Sequence, residues 1–337
     1  MTETMRAATI GMDRVVTIVD DVPRPEVSPG QALVRLLQVG VCGTDYGYVT
    51  GERDVPRDGW ILGHEGNGIV VAVGSNVSLD LVGTRVAIEP NFPCGLCQEC
   101  RDGATALCAD RGSLALNEPG LFAEYAAVPA EYCWALPDGV ADDVATVVEP
   151  VAVCLAAIRR AGITDRAEGL SVLVVGAGAL GLLLATCLRE LGASVDVLER
   201  DSDRRARADD IGVGRYSAER QGTYAVVFDS TGTASGGAAA IANAARNARV
   251  VVIGVGNDPV PCDTRLLVRR GLTVIGSMIY DHPHDFEAAI SFLTERRIAL
   301  LPSLGDRYSL AEVATAFERY PSSVGKTIIQ ITQEAAR

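Results

Sequence analysis

The sequence predicts an α/β protein of two parts, a β-rich N-terminal part followed by a doubly wound parallel sheet. Three observations carry this expectation. Short β-branched runs separated by Gly and Pro fill residues 1–150. From about 151, continuous apolar strands alternate with helical segments, the pattern of parallel strands covered on both faces. The length of 337 residues suits two domains at roughly 150 residues each.

The elements follow in order. QALVRLLQVGVCG (31–43), NGIVVAVGSNV (67–77) and GTRVAIEP (83–90) read as strands of a small barrel or sandwich. VAVCLAAIRRAGI (151–163) has helical spacing, with Val153, Ala157 and Ile158 on one side and Arg159 and Arg160 on the other. A strand at Val172–Val175, a glycine turn, a helix at Ala179–Leu191 and a strand ending at Glu199 follow. Further strands are expected at YAVVFDS, RVVVIGV and LTVIGS. SLAEVATAFERYPSSVGKTIIQIT (309–332) reads as a helix followed by a strand. No internal repeat or low-complexity stretch appears.

Composition removes several function classes. Apolar residues make up 48% and charged residues 22%, enough for a full core. The net charge of −13 argues against binding a phosphate backbone. The N-terminal MTETMRAATIGMDR lacks the apolar core of a signal peptide. The apolar run near 180 is broken by Gly and falls short of the ~20 residues of a membrane span. The expectation is a cytoplasmic enzyme. The nine cysteines are odd in number and clustered, which in such a setting points to metal binding rather than disulfides.

Gly176, Gly178 and Gly181 form G-x-G-x-x-G between a strand and a helix, the context of a dinucleotide-binding turn. Such a turn places a pyrophosphate at the positive helix N-terminus. Glu199, 18 residues after Gly181, can accept hydrogen bonds from both adenosine ribose hydroxyls and repels a 2′-phosphate. NAD is therefore preferred, while Arg200, Arg204 and Arg205 leave NADP open. Ser230 and Thr231 are expected along the cofactor cleft.

Cys94, Cys97, Cys100 and Cys108 have the spacing C-x2-C-x2-C-x7-C. Four thiolates on one lobe (91–110) suit a closed tetrahedral zinc site without a catalytic opening; an iron–sulfur cluster is the alternative they allow. Cys42 in a turn between strands, His64, Glu65 and Glu149 form a second donor set. A thiolate, an imidazole and a carboxylate can hold zinc and leave one position for water or substrate. Cys133, Cys154, Cys187 and Cys262 read as packing residues, and His282 and His284 have no assigned role.

With these motifs in place, the chain resembles the zinc-dependent alcohol and polyol dehydrogenases of the medium-chain dehydrogenase/reductase superfamily. GVCGTD (40–45), GHEGNG (63–68), the four-cysteine lobe, FAEYAAVP (122–129), EPVAV (149–153) and GAGALG (176–181) occur in that family's order. The resemblance implies a GroES-like catalytic domain at 1–150, a Rossmann domain at 151–287 and a C-terminal return to the catalytic domain at 288–337. It implies two zinc ions per chain, one structural and one catalytic, and an active site in the cleft between domains. Cys42 and His64 match ligands of the catalytic zinc. Glu65 and Glu149 match the acids of the polyol branch, where either or both coordinate, and the two can exchange.

The resemblance also assigns roles. Thr44 matches the hydroxyl that takes the substrate proton. Gly47 stands where some relatives carry a relay His, so the onward path differs. Leu180 and Val153 are expected beside the nicotinamide, and Asp45 behind Cys42 or His64. Tyr46, Tyr48, Trp60, Asn117 and Glu118 are candidates to touch substrate. The expected substrate is a secondary alcohol of a polyol, cyclitol or sugar, and the acidic balance points further to a cationic amino sugar. A zinc-free quinone/enoyl-type reductase and a non-enzymatic NAD-binding sensor are the alternatives. A homodimer or homotetramer is expected, joined through the LTVIGS edge strand.

Overall fold

The computed structural model describes residues 3–295 and 303–332. The chain divides into two compact units, Met1–Glu149 with Asp306–Arg337, and Pro150–Gly305. The second unit therefore extends beyond the expected boundary at 287. The helix His284–Glu295 belongs to it, because Phe286, Ala289 and Leu293 are buried and Asp285 binds Arg159. Arg159 and Arg160, on the helix side opposite Val153, Ala157 and Ile158, both pair with Asp281, and Arg159 also with the buried Asp285.

The first unit is built on a seven-stranded sheet in the order Cys133–Ala135, Arg85–Ile88, Glu65–Val73, Gln31–Gly40, Lys326–Gln330, Leu304–Ser309, with Tyr125–Pro129 also on Gln31–Gly40. The central Gln31–Gly40 is bonded along both edges, to Glu65–Val73 on one and to Tyr125–Pro129 and Lys326–Gln330 on the other. Such a strand is buried almost throughout, which is why it reads as a nearly unbroken apolar run. Val34, Leu36, Val39, Ile88, Phe122 and Phe317 lie in its core. A second, three-stranded sheet joins Val16–Pro23, Thr4–Ile10 and Trp60–Ile61.

The GVCG segment is not the simple turn expected from sequence. It leads into the helix Gly43–Thr50, with Cys42 at its N-cap and the left-handed Gly51 at its end. Asp45 closes a capping box: its Oδ2 accepts the Cys42 backbone N–H at 3.0 Å.

The second unit holds a six-stranded, wholly parallel sheet in the order Gly214–Arg215, Ser194–Leu198, Ser171–Val175, Tyr224–Asp229, Ala244–Val252, Thr273–Gly276. Counting strands along this unit gives 3-2-1-4-5-6, the doubly wound dinucleotide-binding order. The order reverses between Ser171–Val175 and Tyr224–Asp229, so their carboxyl ends open a crevice. All nine cysteines are free. Among the described residues, no helix is long and apolar enough to cross a membrane.

Candidate active site

The helix Gly43–Thr50 and the strand Glu65–Val73 bring three donors together. Ligand atoms of Cys42, His64 and Glu65 all lie within 4.8 Å of one another. Asp45, wholly buried, organises the group: its Oδ2 fixes the Cys42 backbone, its Oδ1 accepts the Gly63 N–H at 2.9 Å, and Oδ1 stands 3.4 Å from His64 Nδ1. Nδ1 makes no hydrogen bond. Burial disfavours the imidazolium, but the Asp45 carboxylate and the Cys42 sulfur outweigh it and push the His64 pKa well above the ordinary value. A thiol, an imidazole and a carboxylate converging out of water fit zinc.

Glu149, in the first turn of the helix Val148–Arg160, stands outside this group of three but close to it. Its carboxyl pKa is pushed up, first by burial and then by the Glu65 charge. Thr44 sits half-buried in the first turn after Cys42. Beside Gly47, the space a relay side chain would take is bordered by the Arg53 side chain, 3.6 Å from the position of a Cβ.

Two residues at this site had no assignment from the sequence. Lys326 is buried and places Nζ 2.7 and 2.6 Å from the two oxygens of Glu65. Burial works against its charge, yet the Glu65 carboxylate keeps it protonated. Tyr320 stacks on Tyr46 with ring centroids 5.2 Å apart. Its hydroxyl lies 3.7 Å from where a Gly43 Cβ would stand.

The cysteine lobe forms a second donor group, with the sulfurs of Cys94, Cys97, Cys100 and Cys108 within 4.8 Å of one another. Backbone N–H groups point at the sulfurs: Leu96 and Cys97 donate to Cys94 Sγ, Cys100 to Cys97 Sγ and Cys94 to Cys108 Sγ. These donors hold Cys94 down to about 7, the Leu96 and Cys97 N–H groups contributing most, while Cys97, despite the Cys100 N–H, is pushed up to about 12 by burial and its Cys100, Glu99 and Cys94 neighbours, and burial raises Cys100. Leu96 and Leu107 are 78% and 60% exposed. The lobe thus has little core of its own, as expected of a loop organised by a metal.

In the second unit, a groove of about 470 Å³ opens at the strand-order reversal and is lined by Gly176, Gly178, Glu199, Arg200, Arg204 and Thr231, among others. The three glycines have different reasons. Gly176 adopts φ +97° at the turn, a Cβ on Gly181 would stand 2.1 Å from the Gly176 carbonyl oxygen, and a Cβ on Gly178 would meet nothing within 4 Å. The first makes the turn, the second lets the helix pack on the strand, and the third leaves backbone open to a pyrophosphate. Glu199 ties down the loop, accepting the Ala177, Arg200 and Asp201 N–H groups. Ser230 donates to the Val175 carbonyl at 3.0 Å, so it braces the glycine turn as well as lining the groove. Thr231 is held by the buried Asp229, which accepts its N–H and hydroxyl. Leu180 opens the helix Ala179–Glu190, and its carbonyl is 3.8 Å from Cys154 Sγ; Val153 lies on Val148–Arg160.

Other candidates are placed elsewhere. Trp60 is a core residue whose Nε1 donates to the Ala115 carbonyl at 2.8 Å, and Tyr48 is buried. Asn117 braces its own loop through the Ser113 N–H and the Arg111 carbonyl. Glu118 borders a separate, mostly apolar cavity of about 260 Å³ with Phe92, Leu114 and Tyr125. Of the four remaining cysteines, Cys262 is exposed rather than packed.

Known proteins share this sequence and fold. Residues 28–138 match the alcohol dehydrogenase GroES-like domain, and residues 179–295 match the zinc-binding dehydrogenase model. The chain is 30% identical to D-altritol 5-dehydrogenase of Agrobacterium fabrum (strain C58), covering 94% of this chain and 96% of that protein. A putative zinc-binding dehydrogenase of Sinorhizobium meliloti 1021 bound to NADP superposes with TM-score 0.87 at 27% identity, covering 98% of this chain and all of that one. An alcohol dehydrogenase of Escherichia coli CFT073 complexed with NADH gives TM-score 0.88 at 25% identity, covering 97% and 99%. The chain therefore belongs to the zinc-binding alcohol dehydrogenase family and is an NAD(P)-dependent alcohol dehydrogenase.

Proposed function

We propose that the protein oxidises a secondary hydroxyl of a polyol, cyclitol or sugar with NAD as preferred cofactor, using one catalytic and one structural zinc per chain. The observation that carries this is the convergence of Cys42, His64 and Glu65 on one point. Relatives such as D-altritol 5-dehydrogenase support the substrate class, and Glu199 in the groove supports NAD.

When bound, zinc supplies a Lewis acid that lets an alcohol ionise near neutral pH, and the nicotinamide supplies the hydride acceptor. The chain does the rest. Cys42 and His64 hold the cation, with Glu65 or Glu149 as the acidic donor, and Asp45 fixes both Cys42 and its own distance to His64. Thr44 takes the substrate proton at its hydroxyl. With glycine at 47, that proton leaves by water or a ribose hydroxyl. Leu180 and Val153 position the nicotinamide ring, and Cys94, Cys97, Cys100 and Cys108 hold the structural ion.

A panel of neutral polyols and amino-substituted analogues, run with NAD and NADP across ionic strength, tests this reading. NADH absorbance growing with at least one polyol is expected, with elemental analysis giving about two zinc per chain. A cationic substrate requires amino compounds to turn over faster at low salt; equal rates on neutral polyols at every salt level remove it. None of the nine cysteines is in a disulfide, which suits a reducing compartment such as the cytoplasm.

For the assembly, we propose a dimer through the edge strand Thr273–Gly276. Val268, Val274 and Met278, on and beside it, are exposed, and Val274 is 47% accessible on the strand itself. Val274→Lys is expected to shift light-scattering mass from dimer to monomer, and an unchanged mass rejects this edge.

A further inference from the structure

Lys326 is the only lysine in the chain; the other 29 basic residues are arginine. Its side chain is 4% exposed and that of its partner Glu65 is 2% exposed. The two come from strands on opposite edges of Gln31–Gly40, where Gly40 pairs with Glu65 on one side and with Ile328 on the other. The ion pair therefore passes over Gly40. A Cβ there would stand 2.4 Å from Glu65 Oε2 and 3.3 Å from Lys326 Cδ. Glycine at 40 is the gap through which the lysine reaches the carboxylate.

We propose that Lys326 is a positioning residue for the metal centre: it holds both carboxylate oxygens of Glu65, competes with the bound cation for them, and so keeps one coordination position free for substrate. The proposal rests on the function proposed above. One Glu65 oxygen is within reach of the Cys42–His64 point, yet both oxygens are bonded to Nζ, whose remaining contact is the Val41 carbonyl at 3.4 Å. A carboxylate shared this way cannot give itself wholly to the metal. The charge balance makes the difference chemical. Cys42 thiolate and neutral His64 leave a divalent ion with net positive charge, which favours an ionising alcohol, whereas a carboxylate bound beside them, Glu65 or Glu149, cancels it, so keeping Glu65 off the ion limits it to one such carboxylate. The residue type follows from the space: a compact ammonium with three donors fits above Gly40, while the planar fork of arginine needs more room.

The test uses zinc release to a chelator in the full chain, following the phase that is absent in Cys42→Ser. In Lys326→Met the freed Glu65 turns to the metal as an added ligand, so this phase slows about tenfold or more, equivalent to at least ~1.4 kcal/mol. Cobalt substituted at the site gives a weaker visible band as coordination number rises, and kcat falls without a matching change in the KM for cofactor. Glu65→Gln/Lys326→Met releases zinc at the rate of Glu65→Gln alone, because the competition is gone. Since this double variant buries no unpaired charge, it keeps the proposal testable if Lys326→Met does not fold. Release from folded Lys326→Met at the wild-type rate overturns the proposal, as does a double variant that differs from Glu65→Gln. If wild type itself lacks the release phase, the catalytic zinc and this proposal fall together.

Discussion

Cys42→Ser is expected to abolish hydride transfer and remove one of the two proposed zinc ions while the fold persists. The expectation of a preserved fold comes from the local structure. Cys42 is the N-cap of Gly43–Thr50, and serine is among the residues best suited to that position. The Asp45 carboxylate still has the residue-42 backbone N–H to accept. The loss of metal comes from donor chemistry, since a neutral hydroxyl is a poor substitute for a soft thiolate beside one imidazole. Zinc contributes several kcal/mol of charge stabilisation in the transition state. At about 1.4 kcal/mol per factor of ten, its loss lowers kcat by about a thousandfold or more. Elemental analysis should find about one zinc per chain, held by the cysteine lobe, with the melting temperature within a few degrees of wild type. Activity that survives in a protein lacking this zinc would show that Cys42 is not its catalytic anchor.

What the sequence reveals about this site depends on how far apart the partners stand along the chain. The dinucleotide turn is legible because Gly176, Gly178 and Gly181 act within six residues, and Glu199 follows at one strand and one helix. Asp45 is legible as a neighbour of Cys42 for the same reason. The cysteine lobe gathers its sulfurs within fifteen residues, so spacing alone brings them together. Lys326 escapes because its partner is 261 residues away. A lysine opening a strand normally reads as a solvated end, and only its being the sole lysine among thirty basic residues marks it out. Tyr320 escapes likewise, since only the return of the C-terminal strand brings it to Gly43 and Tyr46. The opposite error has one cause too. Trp60 and Asn117 lie near motifs in sequence, but nearness along the chain does not set side-chain direction, and both turn to backbone groups of the 111–117 loop. The helix after Cys42 was hidden by its glycines, Gly43 and Gly47, which lower helix propensity and read as turn. The second boundary lay hidden in an ion pair, Arg159 with Asp285, between segments 126 residues apart.

Alanine at two glycines of the same turn is expected to fail in two different ways. Gly181→Ala puts a Cβ 2.1 Å from the Gly176 carbonyl oxygen and 2.8 Å from Ser230 Oγ. Neither can retreat cheaply: the carbonyl belongs to the turn itself, and Ser230 is hydrogen-bonded to the Val175 and Gly176 carbonyls behind it. The helix Ala179–Glu190 must move off the strand Ser171–Val175, and overpacking of this kind costs about 1–3 kcal/mol. At roughly 2–4 °C per kcal/mol for a unit of this size, the melting temperature drops by about 2–12 °C, and NAD binding fails with the turn. Gly178→Ala meets no atom within 4 Å and keeps an ordinary φ of −69°. Its stability cost is limited to a weaker helix N-cap, about 1 kcal/mol or less. Yet the added methyl occupies the approach of a pyrophosphate to the helix N-terminus, so NAD affinity should fall at least about tenfold, equivalent to ~1.4 kcal/mol. Calorimetric melting and NAD titration on both variants separate the two effects. Should Gly178→Ala bind NAD as well as wild type, the pyrophosphate does not pass over this turn, and the cofactor assignment of the groove would have to be withdrawn. Should Gly181→Ala melt like wild type, close packing of helix on strand is not what glycine serves there.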